Sequence, residues 1–130
     1  MGLFGTGPKV VIVEDNLALS EIYKVRLEIL GYKIINAFDG EQALQLIQQE
    51  RPKLVLLDLM IPKVAGEQVL TTMRANDWGK DIKVQIISNL NEADAPAGLR
   101  DLGIEGYSVK ANLKNDEIDQ IVGNILTPGA

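Results

Sequence analysis

Five short runs rich in aliphatic and β-branched residues, each separated from the next by a stretch of different periodicity, constrain this chain more than any other feature. They occupy residues 9–13, 32–37, 54–58, 83–88 and 106–109. Runs of this length with little polar alternation suit strands covered on both faces. The third is the plainest: Leu54, Val55, Leu56 and Leu57 run into Asp58 and then Leu59-Met60-Ile61-Pro62. Asp58 therefore falls where a buried strand leaves the sheet, at the edge of the core. Taken alone, that carboxylate reads as the start of an Asx-type turn.

The stretches between the runs carry helical spacing. From Ala18 onward, Leu19, Ile22, Tyr23, Leu27 and Leu30 share one face, and Gly31 is a C-terminal stop. Val25 and Ile29 lie off that stripe on a shared outer face. Asp39-Gly40 turns into a helix whose inner face carries Ala43, Leu44 and Ile47 and which must finish before Pro52. Val69, Leu70 and Met73 mark a third helix, and Ile118, Ile121, Val122 and Ile125 the last. The fourth helix is the weakest. Pro96 and Gly98 sit inside it, which puts its start near Asp94 and predicts a short, loosely held element. Trp78, in the polar connection before the fourth strand, reads as surface packing. Five strands each followed by a helix imply an α/β fold, a doubly wound (βα)5 domain with a five-stranded parallel sheet and right-handed crossovers.

Composition narrows the chemistry. The 130 residues include no cysteine and no histidine, which excludes disulfides, thiolate or imidazole metal sites, and cysteine or histidine catalysis. A net charge of -5 argues against direct DNA binding, because phosphate contacts need a basic face. No apolar run is long enough to span a membrane, and the glycine-rich start lacks the features of a secretory signal, so a soluble, cytoplasmic protein is expected. Residues 1–7 read as a flexible tail and residues 8–127 as one domain, with no output domain after it.

In doubly wound folds, ligands bind beyond the carboxyl ends of the strands. The polar residues at those ends are Glu14 and Asp15 after the first strand, Asp58 after the third, Ser88 after the fourth and Lys110 after the fifth. Each has an ordinary explanation in isolation. Glu14-Asp15 suits a helix N-terminus, Ser88 a turn hydroxyl, Lys110 a solvated surface and Tyr107 packing on an edge strand. All of them at one sheet edge, in this order, make coincidence a poor account.

The chain resembles the receiver domain of two-component response regulators, of the small, stand-alone chemotaxis-regulator type. The resemblance runs from Lys9 to Leu126 and rests on Val13-Glu14-Asp15, Asp58-Leu59-Met60-Ile61-Pro62, Gly66, Ile87-Ser88-Asn89, and Tyr107 with Lys110. It implies a flavodoxin-like strand order, 2-1-3-4-5. It also implies that Asp58 takes a phosphoryl group from a sensor histidine kinase or phosphotransfer protein. Magnesium fits the acidic cluster, being a hard cation commonly held by one or two carboxylates plus a substrate phosphate. On the family pattern Asp15, Asp58 and the Met60 main-chain carbonyl are its direct ligands, and Glu14 acts through a bound water. Lys110 pairs with Asp58 and then with a phosphoryl oxygen. Ser88 donates to the phosphoryl group, Tyr107 rotates inward, and the face made by the fourth helix, fifth strand and fifth helix changes shape for a downstream protein target. The resemblance implies a signalling phosphoacceptor rather than an enzyme, catalysing only its own phosphoryl transfer and autodephosphorylation, as a monomer or a phosphorylation-dependent homodimer.

Two departures from the family pattern stand out. Lys110 is followed by Ala111 where the family usually has a proline after a cis peptide, leaving a trans or strained loop. Asn89 occupies a position where a small residue is common, which predicts an altered dephosphorylation rate. Rival readings are weaker. A dehalogenase-type phosphatase wants a second Asp at position 60, which is Met, and a nucleotide-binding domain wants a glycine-rich loop where Glu14-Asp15-Asn16 stands. The strongest rival is a receiver-like interaction module that needs no phosphorylation.

Overall fold

The computed structural model describes residues 6–126. Its strands are β1 (Lys9–Val13), β2 (Lys33–Ala37), β3 (Leu54–Leu57), β4 (Lys83–Ser88) and β5 (Gly106–Val109), and its helices α1 (Leu17–Ile29), α2 (Gly40–Glu50), α3 (Gly66–Arg74) and α4 (Asn115–Leu126). The strands form one sheet in the order β2-β1-β3-β4-β5, every pair parallel. This is the doubly wound architecture and strand order expected.

Alternate residues of each strand supply two cores. Val11, Val13, Val55, Leu57, Val84 and Ile86 pack under α2 and α3. Val10, Ile12, Leu54, Leu56 and Ile87 pack under α1 and α4, against Tyr23, Leu27, Ile118 and Val122. All four residues of β3 are buried, the continuous apolar run its sequence requires. Each large aliphatic side chain so buried is worth roughly 1.5–3 kcal/mol, and β1 and β3 each give two such side chains to either layer.

The helix ends follow local chemistry. Asn16 caps α1 by accepting from the Leu19 N–H at 3.0 Å, and Gly31, at φ 103, ends the turn that follows. Asp39 caps α2 by accepting from the Gln42 N–H at 2.7 Å, and α2 stops at Glu50, before Pro52. On α1 the expected inner stripe is only partly right. Tyr23 and Leu27 are buried, but Ile22 and Leu30 are exposed, as are Val25 and Ile29. Ser20 occupies the inner position instead, its hydroxyl accepting a hydrogen bond from the Asn36 side-chain amide on β2.

The fourth helix expected between β4 and β5 does not form. That interval holds two short 3-10 turns, Glu92–Asp94 and Arg100–Leu102. Ala95 is extended (φ -76, ψ 160), as the ring of the following Pro96 favours, and Gly98 takes φ 89, outside the right-handed helical region. The two residues expected to weaken a helix abolish it, so five strands are served by four α-helices. The segment is nevertheless packed: Leu99 is buried, and Ala95, Leu102 and Ile104 lie against the α2/α3 core, as does Trp78.

The backbone is ordered ahead of Pro8, where the Gly7 N–H donates to the Gly31 carbonyl at 2.7 Å. The rest of the expected tail, residues 1–5, and residues 127–130 lie outside the described residues. Among the described residues, no helix is long and apolar enough to cross a membrane.

Candidate functional site

The carboxyl ends of the strands converge as their order requires. Val13 pairs with Leu57 in the sheet, so the residues that follow them, Glu14 and Asp58, leave the core side by side. The Asp58 N–H donates to the Val13 carbonyl at 3.1 Å, extending the β1–β3 ladder to the acid itself. Glu14 and Asp58 are buried at 2% and 4% exposure, whereas Asp15 is open to solvent. Carboxylate oxygens of Glu14, Asp15 and Asp58 lie within 4.8 Å of one another. They line a cleft of about 450 Å³ together with Asn16, Met60, Asn89 and Lys110.

Lys110 closes the cleft from the end of β5. Its Nζ donates to Asp58 Oδ2 at 2.6 Å and stands 2.5 Å from Glu14 Oε1. The second contact is a short ion pair between two nearly buried groups. Burial works against the Lys110 charge, but bonding to Asp58 and Glu14 outweighs it and holds its pKa above the ordinary lysine value. Asp58 Oδ1 accepts from the Met60 N–H at 3.0 Å, and Glu14 Oε2 from the Asn16 N–H at 3.0 Å. Each buried acid is thus oriented by the backbone two residues on, while its other oxygen faces Lys110. The Lys110–Ala111 peptide is trans and opens a 3-10 turn, Lys110–Asn112.

Ser88, fully buried at the end of β4, accepts from the Leu90 N–H at 3.3 Å. Tyr107 on β5 donates its hydroxyl to the carbonyl of the same residue at 2.5 Å, and its ring packs against the α2/α3 core. One residue, Leu90, therefore links the two through its N–H and its carbonyl. All the side chains expected at the site, Glu14, Asp15, Asp58, Ser88 and Lys110, reach this edge, with Met60 beside them and Tyr107 one strand over.

Two contributors were not foreseen, Asn16 and the Leu90 carbonyl, whereas the Met60 and Leu90 N–H groups are the partners that an Asx-type turn at Asp58 and a turn hydroxyl at Ser88 require. Asn16 carried a signal, an Asn directly before the first helical residue. The Leu90 carbonyl carried none, because any residue supplies one.

The donor set fits a divalent cation. Three carboxylates face a single ammonium in one cleft, all hard oxygen ligands, and Asp15 is open to solvent where an ion would enter.

Comparison with known proteins agrees with the geometry. The family model of the response regulator receiver domain matches residues 10–122. The probable transcriptional regulator ycf27 of Cyanophora paradoxa is 38% identical over 103 residues, which are 78% of this chain and 41% of that protein. The chain thus spans less than half the length of that relative. Among solved structures, the phosphorylated cyanobacterial phytochrome response regulator RcpA superposes with a TM-score of 0.83 at 25% identity, covering 96% of this chain and 98% of that one. The receiver domain of sensor histidine kinase PA1611 from Pseudomonas aeruginosa, with magnesium coordinated in its active-site cleft, does so with a TM-score of 0.75 at 25% identity, covering 92% and 97%.

Proposed function

This chain belongs to the response regulator receiver domain family, and from that membership we propose that Asp58 is its phosphoacceptor, served by Lys110 and a magnesium ion. The observation that carries the reading is the placement of Asp58: nearly buried, held by the Met60 N–H on one oxygen and by Lys110 on the other, inside a three-carboxylate cleft. In the transfer, an Asp58 oxygen forms the new bond to phosphorus, the phosphorus–nitrogen bond of a phosphohistidine breaks, and the imidazole leaves with that electron pair. A kinase or phosphotransfer protein supplies the phosphohistidine, since this chain contains no histidine. Oδ2, now bonded to Lys110, is freed when the ammonium moves to a phosphoryl oxygen, which needs only a short swing from 2.6 Å.

Asp15, Asp58 and the Met60 carbonyl would hold the ion, with Glu14 behind them. When bound it neutralises charge on the phosphoryl oxygens. Glu14 is held against Lys110, which places a second negative charge behind the ammonium and keeps it at the mouth of the site. The acyl phosphate is lost again by attack of water, a step the exposed Asn89 at the rim is placed to influence.

Leu90 is the natural path of the response. A Ser88 hydroxyl drawn to a phosphoryl oxygen gives up the Leu90 N–H, and the Leu90 carbonyl that anchors Tyr107 moves with it. The face that changes comprises residues 89–105, β5 and α4, and a downstream protein reads it. Leu17, Ile22, Val25 and Ile29 are exposed on α1, which begins at the cleft, and suit the phosphodonor protein. The net charge of -5 argues against direct DNA binding by these residues, and transcriptional regulation by the ycf27 relative describes a protein of which they match 41%.

The test is incubation with a small phosphodonor and magnesium, followed by intact-mass measurement. One added phosphoryl group, absent in Asp58→Asn and in the presence of a chelator, is expected. A protein that gains no mass under these conditions is instead an interaction module that works without phosphorylation.

A further inference from the structure

The loop that follows Asp58 is fastened at two points, and both fastenings need a glycine. At the base, the Gly66 N–H donates to the Leu59 carbonyl at 3.0 Å, and a Cβ on residue 66 would lie 2.3 Å from the Asp58 carbonyl oxygen. At the tip, the N–H of Gly40, the first residue of α2, donates to the Pro62 carbonyl at 3.0 Å. A Cβ there would lie 1.9 Å from the Val64 carbonyl oxygen and 2.7 Å from the Val64 Cβ. No side-chain rotation relieves a clash with a backbone oxygen, so the loop itself would have to move.

Asp39, beside Gly40, works on both sides of this junction. One of its oxygens caps α2, and the other stands 3.6 Å from the ammonium of Lys63, which sits in the loop tip at a left-handed φ of 69. Met60 and Ile61 hang between the two anchors, and the Met60 N–H orients Asp58. The start of α2 thus sets where the backbone that holds the Asp58 carboxylate can lie.

We infer that the Asp39-Gly40 start of α2 is a positioning element for phosphoryl transfer at Asp58, acting through the Pro62–Val64 loop tip and Met60. This rests on Asp58 being the phosphoacceptor. Neither residue touches the reacting atoms. Their effect is on the direction of the Asp58 carboxylate and of the Met60 main chain.

Gly40→Ala is the direct variant, and Gly79→Ala is its control. Gly79 is also buried, and a Cβ there would lie 2.8 Å from the Met73 carbonyl oxygen, but it precedes β4 at the opposite edge of the sheet. At a temperature where both variants are folded, Gly40→Ala should be phosphorylated about tenfold to hundredfold more slowly by a small phosphodonor, the loss expected for a misplacement near 1 Å, and Gly79→Ala within about twofold of the parent. In the metal-free protein, Met60 amide exchange should quicken in Gly40→Ala relative to the β3 amides and keep its ratio to them in Gly79→Ala. Equal behaviour of the two variants in both measurements would overturn the inference. Should Gly40→Ala fail to fold, Asp39→Ala decides: a slower transfer with faster Met60 exchange supports the positioning role, and parental values for both refute it. A parent protein that takes no phosphoryl group removes the functional reading instead, and the Met60 exchange ratio still tests the positioning claim.

Discussion

Lys110 shows how much chemistry one side chain gathers at this edge. Burial alone would lower its pKa, yet contact with Asp58 and Glu14 raises it above the ordinary value, so the ammonium binds its proton more tightly folded than unfolded. The sign of the linkage follows. Its contribution to stability is fully present below the unfolded lysine pKa of about 10.4 and is lost as pH rises through the higher folded value. The urea midpoint should therefore fall above roughly pH 10.4 in the parent protein, and this step should be missing in Lys110→Met. A parallel fall in both proteins would assign it to other groups. Asn89 makes a second residue-scale test, since it is exposed at the rim of the cleft where water approaches Asp58. Asn89→Ala should change the acyl-phosphate lifetime, read from the decay of the phosphorylated mass, while leaving the thermal midpoint in place; an unchanged lifetime refutes its role. At this scale the site was largely legible: Asp58, Glu14, Asp15, Ser88 and Lys110 all announce themselves as polar residues ending apolar runs. The Met60 N–H is implied by the Asx-type turn at Asp58, but the Leu90 carbonyl that holds Tyr107 does not announce itself, because backbone carbonyls are the same in every sequence.

At the scale of elements, the interval between β4 and β5 is where sequence and structure part. Pro96 and Gly98 were visible, but propensity weighs them as costs to a helix, and only the chain's actual path shows that tertiary packing of Leu99, Leu102 and Ile104 stabilises a non-helical route. What fixes that route is Arg74, at the end of α3. Its Nε donates to the Leu102 carbonyl at 2.6 Å, one terminal nitrogen to the Gly79 and Ile82 carbonyls at 2.9 Å each, and the other to the Gly103 carbonyl at 2.9 Å. No spacing rule finds this clamp, since its acceptors are main-chain groups of two loops that meet only in the fold. Arg74→Ala should cost on the order of 2–3 kcal/mol, because charge-assisted bonds are lost and partly buried carbonyls are left without a donor. Amide exchange in residues 89–105 should quicken far more than in β1 or β3. Protection there as strong as in the central strands, in parent and variant alike, would show that the segment is held by its packing alone.

Across the whole molecule, the same topology that covers both faces of β3 makes its carboxyl end a place where three acids meet. β1 and β3 are adjacent and in register, so Glu14 and Asp58 are held together by the sheet itself, and the β2-β1-β3-β4-β5 order brings Lys110 in from the far side of β4. Repulsion among the acids is therefore a cost of the folded state that an unfolded chain, with its carboxylates far apart, does not bear. A divalent cation that binds only the folded form must then stabilise the entire domain, by about 2.7 kcal/mol at a hundredfold excess over its dissociation constant. For a chain of this size that corresponds to a rise in Tm of several degrees. Magnesium should raise the thermal midpoint in a saturable way, beyond the effect of sodium chloride at matched ionic strength. In Asp15→Asn the saturable part should be greatly reduced, since one of the three carboxylates has lost its charge, although Lys110 still bridges Glu14 and Asp58. An equal rise in Asp15→Asn would mean that the cation acts elsewhere on the acidic surface, and that the meeting of the strand ends contributes charge but no metal site.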